Sequence, residues 1–131
     1  MSRENVEIVR AGIEAFNKGD WDGALKDASP DFEMDLSRGV GPDSGVYRGD
    51  QVQELWSDFG EHWESWQIEP EEFIEAGEHV VVPWTSRTTG RDGIEVEARV
   101  TWTYTLREGK VVRVTYFPTR EQALEAAGLS E

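Results

Sequence analysis

Hydrophobic residues in the first half of the chain recur at the spacing of α-helices. An apolar position every three or four residues predicts a helix over residues 4–17. Asp20 is a typical N-cap residue and predicts a short second helix over residues 21–28. A third helix is predicted from residue 50 to about residue 64, with an apolar stripe along one side. The residues of that stripe are Val52, Leu55, Trp56, Phe59 and Trp63.

Most of the second half instead alternates between apolar and polar residues, which is the pattern of β-strands. Strands are predicted over residues 31–36, 66–75, 80–88, 94–106 and 111–117. Thr119 is placed to cap a short C-terminal helix over residues 121–127. Because strands that follow one another favour antiparallel pairing, the chain is predicted to be one α+β domain over residues 1–131. Three N-terminal helices then pack on a strongly curved, mostly antiparallel sheet, leaving a cone-shaped pocket between them.

A loop is predicted between the first strand and the third helix, over residues 37–49. It contains four glycines and one proline, which favour turns over regular structure. A loop of this length can act as a flap over a neighbouring site.

The segment from Ile94 to Pro118 is predicted to form a hairpin whose alternation assigns residues to faces. Its turn contains either two residues, Glu108 and Gly109, or four, and both lengths pair Leu106 with Val111. Continuing that register predicts the pairs Tyr104–Arg113, Trp102–Thr115 and Val100–Phe117. The apolar face then carries one cation among aromatic side chains, which indicates the wall of a cavity.

The composition narrows the possible functions. A formal net charge of −14 repels phosphate backbones, so no nucleic-acid partner is expected. The chain has no cysteine, which excludes disulfides and favours a cytoplasmic location. No apolar run is long enough for a signal peptide or a membrane span, so no membrane partner is expected. The two histidines lack metal-ligand spacing, so neither a metal nor a cofactor is expected.

Segments spread along the chain resemble one known family. They are ENVEIVRAGIEAFNKGDWDGAL at the start, PDFEMDL and YRGDQV around the predicted loop, and TLREGKVVRVTYFPTREQALEAAGL near the end. Together they are similar to the SnoaL-like branch of the nuclear transport factor 2-like superfamily, over nearly the whole chain. The resemblance implies a cone-shaped α+β barrel, a deep apolar cavity and a homodimer formed through the outer face of the sheet.

Members of that superfamily include polyketide cyclases, ketosteroid isomerases, limonene epoxide hydrolases and scytalone dehydratases, so the fold does not select one activity. Resemblance to the epoxide hydrolases implies an Arg and then an Asp on the strand over residues 80–88, with a second Asp on the last strand. This chain has Thr85, Arg87 and Thr115 there, so that catalytic set is predicted to be absent. Resemblance to the isomerases calls for a protonated acid near Trp102, and tryptophan cannot supply one.

Asp35, Arg113 and Tyr104 are the candidate catalytic residues. Asp35 is a candidate general base if burial raises its pKa, although alternation places it opposite the apolar residues of its strand. Arg113 is a candidate to bind a carboxylate or stabilise an enolate. Its structural alternatives are a buried ion pair with Asp35 or Glu33, or a side chain that extends to solvent at the rim of the cone. Tyr104 is a candidate hydrogen-bond donor to a ligand oxygen. The candidate ligand-binding residues are Trp56, Phe59, Trp63, Val100, Trp102, Thr115 and Phe117.

These residues leave three functional hypotheses open. The first is a SnoaL-like protein that binds a small apolar, carbonyl-containing or carboxylate-containing compound in its cone cavity. The second is a cofactor-independent isomerase, cyclase or hydrolase that acts by proton transfer. The third is a structural dimer whose cavity is filled by its own side chains. Binding ranks first because no complete catalytic set is present.

Overall fold

The computed structural model describes residues 2–39 and 44–128, which contain four helices and seven strands. The helices are α1 Ser2–Asn17, α2 Trp21–Ala24, α3 Asp50–Glu61 and α4 Arg120–Ala126. The strands are β1 Ala28–Asp35, β2 Val46–Arg48, β3 Ser65–Pro70, β4 Ile74–Ala76, β5 His79–Thr89, β6 Glu95–Arg107 and β7 Lys110–Phe117. Within these residues no helix has the length and apolar content needed to cross a membrane.

The described strands form one strongly curved sheet in the order β2-β1-β7-β6-β5-β3, and β4 pairs with β5. β1 and β7 run parallel, and the other pairs among these strands are antiparallel. The predicted α+β class is therefore confirmed, with N-terminal helices on a mostly antiparallel sheet and a short C-terminal helix. The sheet is not a simple meander, because β1 lies beside the last strand.

The first three helices pack on one face of the sheet, here called the inner face, which carries Met34, Trp102, Tyr104 and Val114. α1 buries Val9, Ile13 and Phe16 against this face, and α3 buries Val52 and Trp56. Phe16 on α1 lies at the centre of an aromatic group that joins helices to strands. Its ring centroid is between 4.8 and 6.3 Å from the centroids of Trp21, Trp56, Trp66 and Trp102.

β7 contains a β-bulge close to the β6–β7 turn. Leu106 pairs with Val111, as predicted, but the next pair is Thr105 with Arg113. Val112 is therefore an extra residue that has no partner on β6. From this point onward, β7 is displaced by one residue relative to the register that unbroken alternation predicts.

The bulge reverses the predicted faces of β7. The observed pairs beyond it are Tyr104–Val114, Trp102–Tyr116 and Thr101–Phe117. A displacement of one residue turns each side chain to the opposite face. The structure therefore contradicts the predicted pairs Tyr104–Arg113, Trp102–Thr115 and Val100–Phe117. Arg113, Thr115 and Phe117 lie on the outer face, away from the three N-terminal helices.

Other predicted boundaries also differ from the structure. α2 ends at Ala24, because residues 25–27 form a turn that leads into β1 at Ala28. The predicted strand over residues 66–75 is divided into β3 and β4. β3 ends at Pro70, which has no N–H to donate to a neighbouring strand. One hydrogen bond to β5 follows it, from the Glu71 N–H to the Pro83 carbonyl at 2.8 Å.

The predicted loop over residues 37–49 is in part a strand. β2 pairs antiparallel with the end of β1, so the chain returns to the edge of the sheet before α3 begins. A three-residue strand is too short to show a periodic signal. Residues 40–43 of the predicted flap lie outside the described residues.

α4 covers part of the outer face. Its Ala123 and Leu124 pack on Val81 and Phe117. Thr119 is the N-cap, as predicted, and its hydroxyl accepts a 3.2 Å hydrogen bond from the N–H three residues later. The homodimer through the outer face stays a prediction, and α4 occupies part of the surface that such a dimer would use.

The β6–β7 turn consists of Glu108 and Gly109, so the two-residue alternative is correct. Their φ angles are +53° and +77°. Positive φ at both positions matches the right-handed twist of a hairpin, but it strains a glutamate, whose Cβ crowds the backbone in this region.

We expect Glu108→Asn to stabilise the protein, because asparagine adopts the left-handed conformation more readily than glutamate. The free energy of unfolding should rise by roughly 0.5–1 kcal/mol, as measured by urea denaturation. Glu108→Ala is the matched control, since it removes the same charge without relieving the strain. An equal gain from both variants would show that backbone strain is not the cause.

Candidate functional site

A cavity of about 300 Å³ lies between α1, α2 and the inner face of β1, β6 and β7. Its volume is at the lower end of the range for small-molecule sites. The lining is mainly apolar and includes Ile13, Phe16, Met34, Trp56, Trp102 and Val114. The chain's own side chains therefore leave an apolar space open beneath the first two helices.

Strand alternation builds one wall of this cavity. Phe32 and Met34 come from β1, and Trp102 and Tyr104 come from β6, at every second position of each strand. Val114 completes the wall because the bulge turns it to the inner face. The side chains that face the cavity are thus set by strand register.

Small residues on the two helices build the opposite wall. A Cβ added to Gly12 would lie 3.5 Å from the Ala24 carbonyl oxygen. A Cβ added to Gly23 would lie 3.2 Å from the Ala15 Cβ. The helices therefore cross closely while leaving space below them. None of these helix residues was predicted to line the cavity, although Ile8, Gly12 and Ala15 recur at helical spacing in the sequence.

Tyr104 is the one phenol among the described residues that line the cavity. It is only 9% exposed, and its hydroxyl has no hydrogen-bond partner in the described part of the chain. Burial raises the pKa of Tyr104 far above its ordinary value, since desolvation disfavours the phenolate. Tyr104 therefore brings a neutral hydroxyl to an apolar wall.

Asp20, Lys26 and Asp27 add charged groups where α2 and the segment after it border the cavity. Asp20 and Lys26 are exposed, so their charges belong to its solvent side, whereas Asp27 is half-buried. The Asp20 carboxylate caps α2, as predicted, by accepting a 2.9 Å hydrogen bond from the Gly23 N–H. No cluster of side chains suited to a metal ion is found in residues 2–39 and 44–128.

Asp35 and Arg113 lie together on the outer face, in an ion cluster that also contains Glu33 and Arg48. Arg113 Nη2 donates to Asp35 at 2.5 Å, and Arg113 also pairs with Glu33. Glu33 in turn accepts from Arg48 at 2.7 Å. The sheet places these residues side by side, because Glu33 on β1 pairs with Arg113 on β7. The ion-pair alternative for Arg113 is therefore the one that the structure contains.

The Asp35 carboxylate has three further contacts besides the one with Arg113. The Ser37 hydroxyl donates to it at 2.5 Å and the Ser37 N–H at 2.9 Å, while Arg38 lies 3.8 Å away. Burial by itself would raise the pKa of Asp35, but the Ser37 hydrogen bonds and Arg113 together lower it below its ordinary value. A general base near neutral pH needs a raised pKa, so this environment does not suit that role.

The predicted site residues thus divide into separate groups. Tyr104, Trp56 and Trp102 line the cavity, whereas Asp35 and Arg113 do not. Phe59 contacts Trp66 and Trp63 through tilted rings, with centroid distances of 4.3 Å to Trp66 and 6.0 Å to Trp63. The residues outside the cavity wall are Phe59, Trp63, Val100, Thr115 and Phe117.

The structure corrects the predicted faces of three β7 residues, and the three corrections have one physical cause. The expectation that Thr115, Phe117 and Arg113 share the face of Trp102 was wrong, because the bulge displaces β7 by one residue. Phe117 packs instead with Leu124 of α4. Thr115 accepts a 3.3 Å hydrogen bond from Arg113 Nε, which joins it to the ion cluster.

Comparison with known proteins identifies one family. The family model described as the SnoaL-like domain matches residues 9–114. No curated protein matches the chain.

Several solved structures have the same fold. TerC, co-crystallised with polyporic acid, is 25% identical with a TM-score of 0.78, and the match covers 95% of this chain and 98% of TerC. An NTF2-like protein of unknown function from Burkholderia pseudomallei is 25% identical with a TM-score of 0.76, over 93% of this chain and 95% of that one. A protein with a cystatin-like fold from Xanthomonas campestris is 21% identical with a TM-score of 0.75, over 96% and 98% of the two chains.

Asp35→Asn should lower the free energy of unfolding at pH 7 by roughly 1.5–3 kcal/mol, the contribution of a charge-assisted hydrogen bond. Because the folded-state pKa of Asp35 is lowered, its stabilisation is present above the unfolded-state pKa, near 3.8. It is lost as the pH falls through the folded-state value. Urea denaturation at several pH values should therefore show the two proteins converging below pH 4.

Asp31→Asn on the same strand is the matched control. Asp31 is exposed, so its side chain should contribute little at any pH. Equal stability of Asp35→Asn and the unmodified protein at pH 7 would contradict the role given to the ion cluster.

Proposed function

The chain belongs to the SnoaL-like domain family, and we propose that it binds a small, largely apolar organic molecule in the cavity between α1, α2 and the sheet. The observation that carries this proposal is the open apolar space of about 300 Å³ with the Tyr104 hydroxyl on its wall. Most cores fill such a volume with side chains, since empty apolar space costs stability.

The lining supports binding on energetic grounds. Removing apolar surface from water contributes roughly 25 cal/mol per Å², and the aromatic faces of Trp56 and Trp102 offer large contact areas. A ligand oxygen that pairs with Tyr104 would also satisfy a hydroxyl that lacks a partner among the described residues. The cavity thus combines a general apolar attraction with one polar contact.

A related structure supports the same use of the fold. TerC was co-crystallised with polyporic acid, and it aligns with this chain over almost its whole length. A protein of this fold can therefore accommodate an organic compound of that kind. We extend to this chain only the ability to hold a small organic molecule.

The two alternative functions have less support. Proton-transfer catalysis would need an acid or base at the reacting atoms. Among the described lining residues, the carboxylates are the exposed Asp20 and the half-buried Asp27, and neither is paired with a second acid or base on the aromatic wall, while Asp35 lies on the other face of the sheet. The filled-cavity dimer conflicts with the open volume.

We expect 2-acetylnaphthalene to raise the midpoint of thermal unfolding, because a ligand that binds only the native state stabilises it. At a free concentration of 100 times its Kd the gain is about 2.7 kcal/mol. Differential scanning fluorimetry measures the shift. Quenching of tryptophan fluorescence gives an independent reading, since Trp56 and Trp102 line the cavity.

Ala24→Leu should abolish the shift by filling the cavity from the α2 side. Ala98→Leu is the matched control, because Ala98 is exposed on β6 and does not line the cavity. Both variants must unfold cooperatively before the comparison is made. A shift that survives Ala24→Leu unchanged, or the lack of any shift in the unmodified protein, would refute binding at this site.

A further inference from the structure

We propose that the cavity selects an uncharged ligand that presents a hydrogen-bond-accepting oxygen, such as a ketone or quinone carbonyl, and that it rejects carboxylates. This inference rests on the proposed binding function and concerns the chemical class of the ligand. It follows from the charges that face the cavity and from those that the fold keeps out of it.

Among the described residues that line the cavity, no buried cation is present to receive an anionic group. Among the described residues that line it, Lys26 is the single basic side chain, and it is exposed at the solvent side. Asp20 and Asp27 border the same region, so the charges there sum to −1. A carboxylate that entered would lose its hydration without gaining a partner, which is the costly form of charge burial.

Arg113 cannot supply the missing cation. The bulge places it on the outer face, where its guanidinium already contacts Glu33 and Asp35. Reaching the cavity would require breaking both ion pairs and passing through the sheet. The formal net charge of −14 acts in the same direction at longer range, because it repels anions from the whole molecule.

Tyr104 supplies the feature that favours a neutral acceptor. Its hydroxyl is a donor without a partner in the described residues, and β6 holds it between the buried Thr103 and the half-buried Thr105. Since burial keeps the phenol protonated, it can donate to a carbonyl oxygen at physiological pH. A ligand with no acceptor leaves this donor unsatisfied.

Four probes that share a naphthalene ring test the inference by isothermal titration at pH 7.5. They are 2-acetylnaphthalene, 2-ethylnaphthalene, 2-naphthoate and 2-naphthylmethylammonium. The ketone should bind about 3- to 10-fold more tightly than the ethyl compound, as expected for one neutral hydrogen bond. The carboxylate should bind at least about 100-fold more weakly than the ketone, because it is buried without a counter-ion. The ammonium should also bind more weakly than the ketone, because its charge would lose hydration in the apolar space.

Tyr104→Phe should remove the preference for the ketone while leaving the affinity for the ethyl compound unchanged. Tyr116→Phe is the matched control, because Tyr116 lies on the inner face opposite Trp102 without lining the cavity. Loss of a hydroxyl that has no partner should leave folding intact, which urea denaturation of both variants checks.

The outcomes separate this inference from the function on which it rests. If none of the four probes binds, the proposed binding function fails and the inference fails with it. If the carboxylate or the ammonium binds as tightly as the ketone, binding stands and the proposed selection is wrong. Equal affinity for the ketone and the ethyl compound in the unmodified protein would overturn the role of Tyr104.

Discussion

One extra residue in β7, Val112, decides which side chains meet the cavity and which meet the ion cluster. A strand has only two faces, so one inserted residue reverses every position that follows. Before the bulge, Val111 points toward the helices, and after it Val114 does so as well. The same reversal carries Arg113 to the outer face, beside Glu33 and Asp35. The apolar cavity and the charged cluster are therefore two consequences of one backbone irregularity.

This separation places the charged residues where they form ion pairs and the aromatic residues where they line an apolar space. Arg113 forms ion pairs where water still reaches it, and its partners Glu33 and Asp35 come from the neighbouring parallel strand. On the inner face, Trp102 and Tyr104 face small residues of α1 and α2, and Lys26, the one basic side chain among the described lining residues, is exposed. A chain with so many acids thus uses its arginines to hold carboxylates on the outer surface. Its cavity keeps a mainly apolar lining.

Much of this fold follows from local patterns in the sequence. The apolar spacing of Val9, Ile13 and Phe16 locates α1, and Asp20 and Thr119 are the caps that their residue types predict. The β7 faces could not be predicted, because Val111 and Val112 are equally suited to either face and alternation contains no signal for a bulge. That ambiguity misplaced Arg113, Thr115 and Phe117 together. The cavity wall formed by Gly12 and Ala15 was missed because small residues contribute little to an apolar stripe, although they create the space.

The register of β6 and β7 tests this account most directly, and nuclear Overhauser contacts between α-protons measure it. The Leu106 N–H points toward β5, where it donates to the Glu78 carbonyl, so by alternation the Tyr104 N–H does so too. Tyr104 and its partner on β7 then form a non-hydrogen-bonded pair, with Cα atoms about 4.5 Å apart and α-protons in close contact. The account predicts a strong contact between the α-protons of Tyr104 and Val114. A contact from Tyr104 to Arg113 in its place would contradict it, because the arginine would then share the face of the cavity.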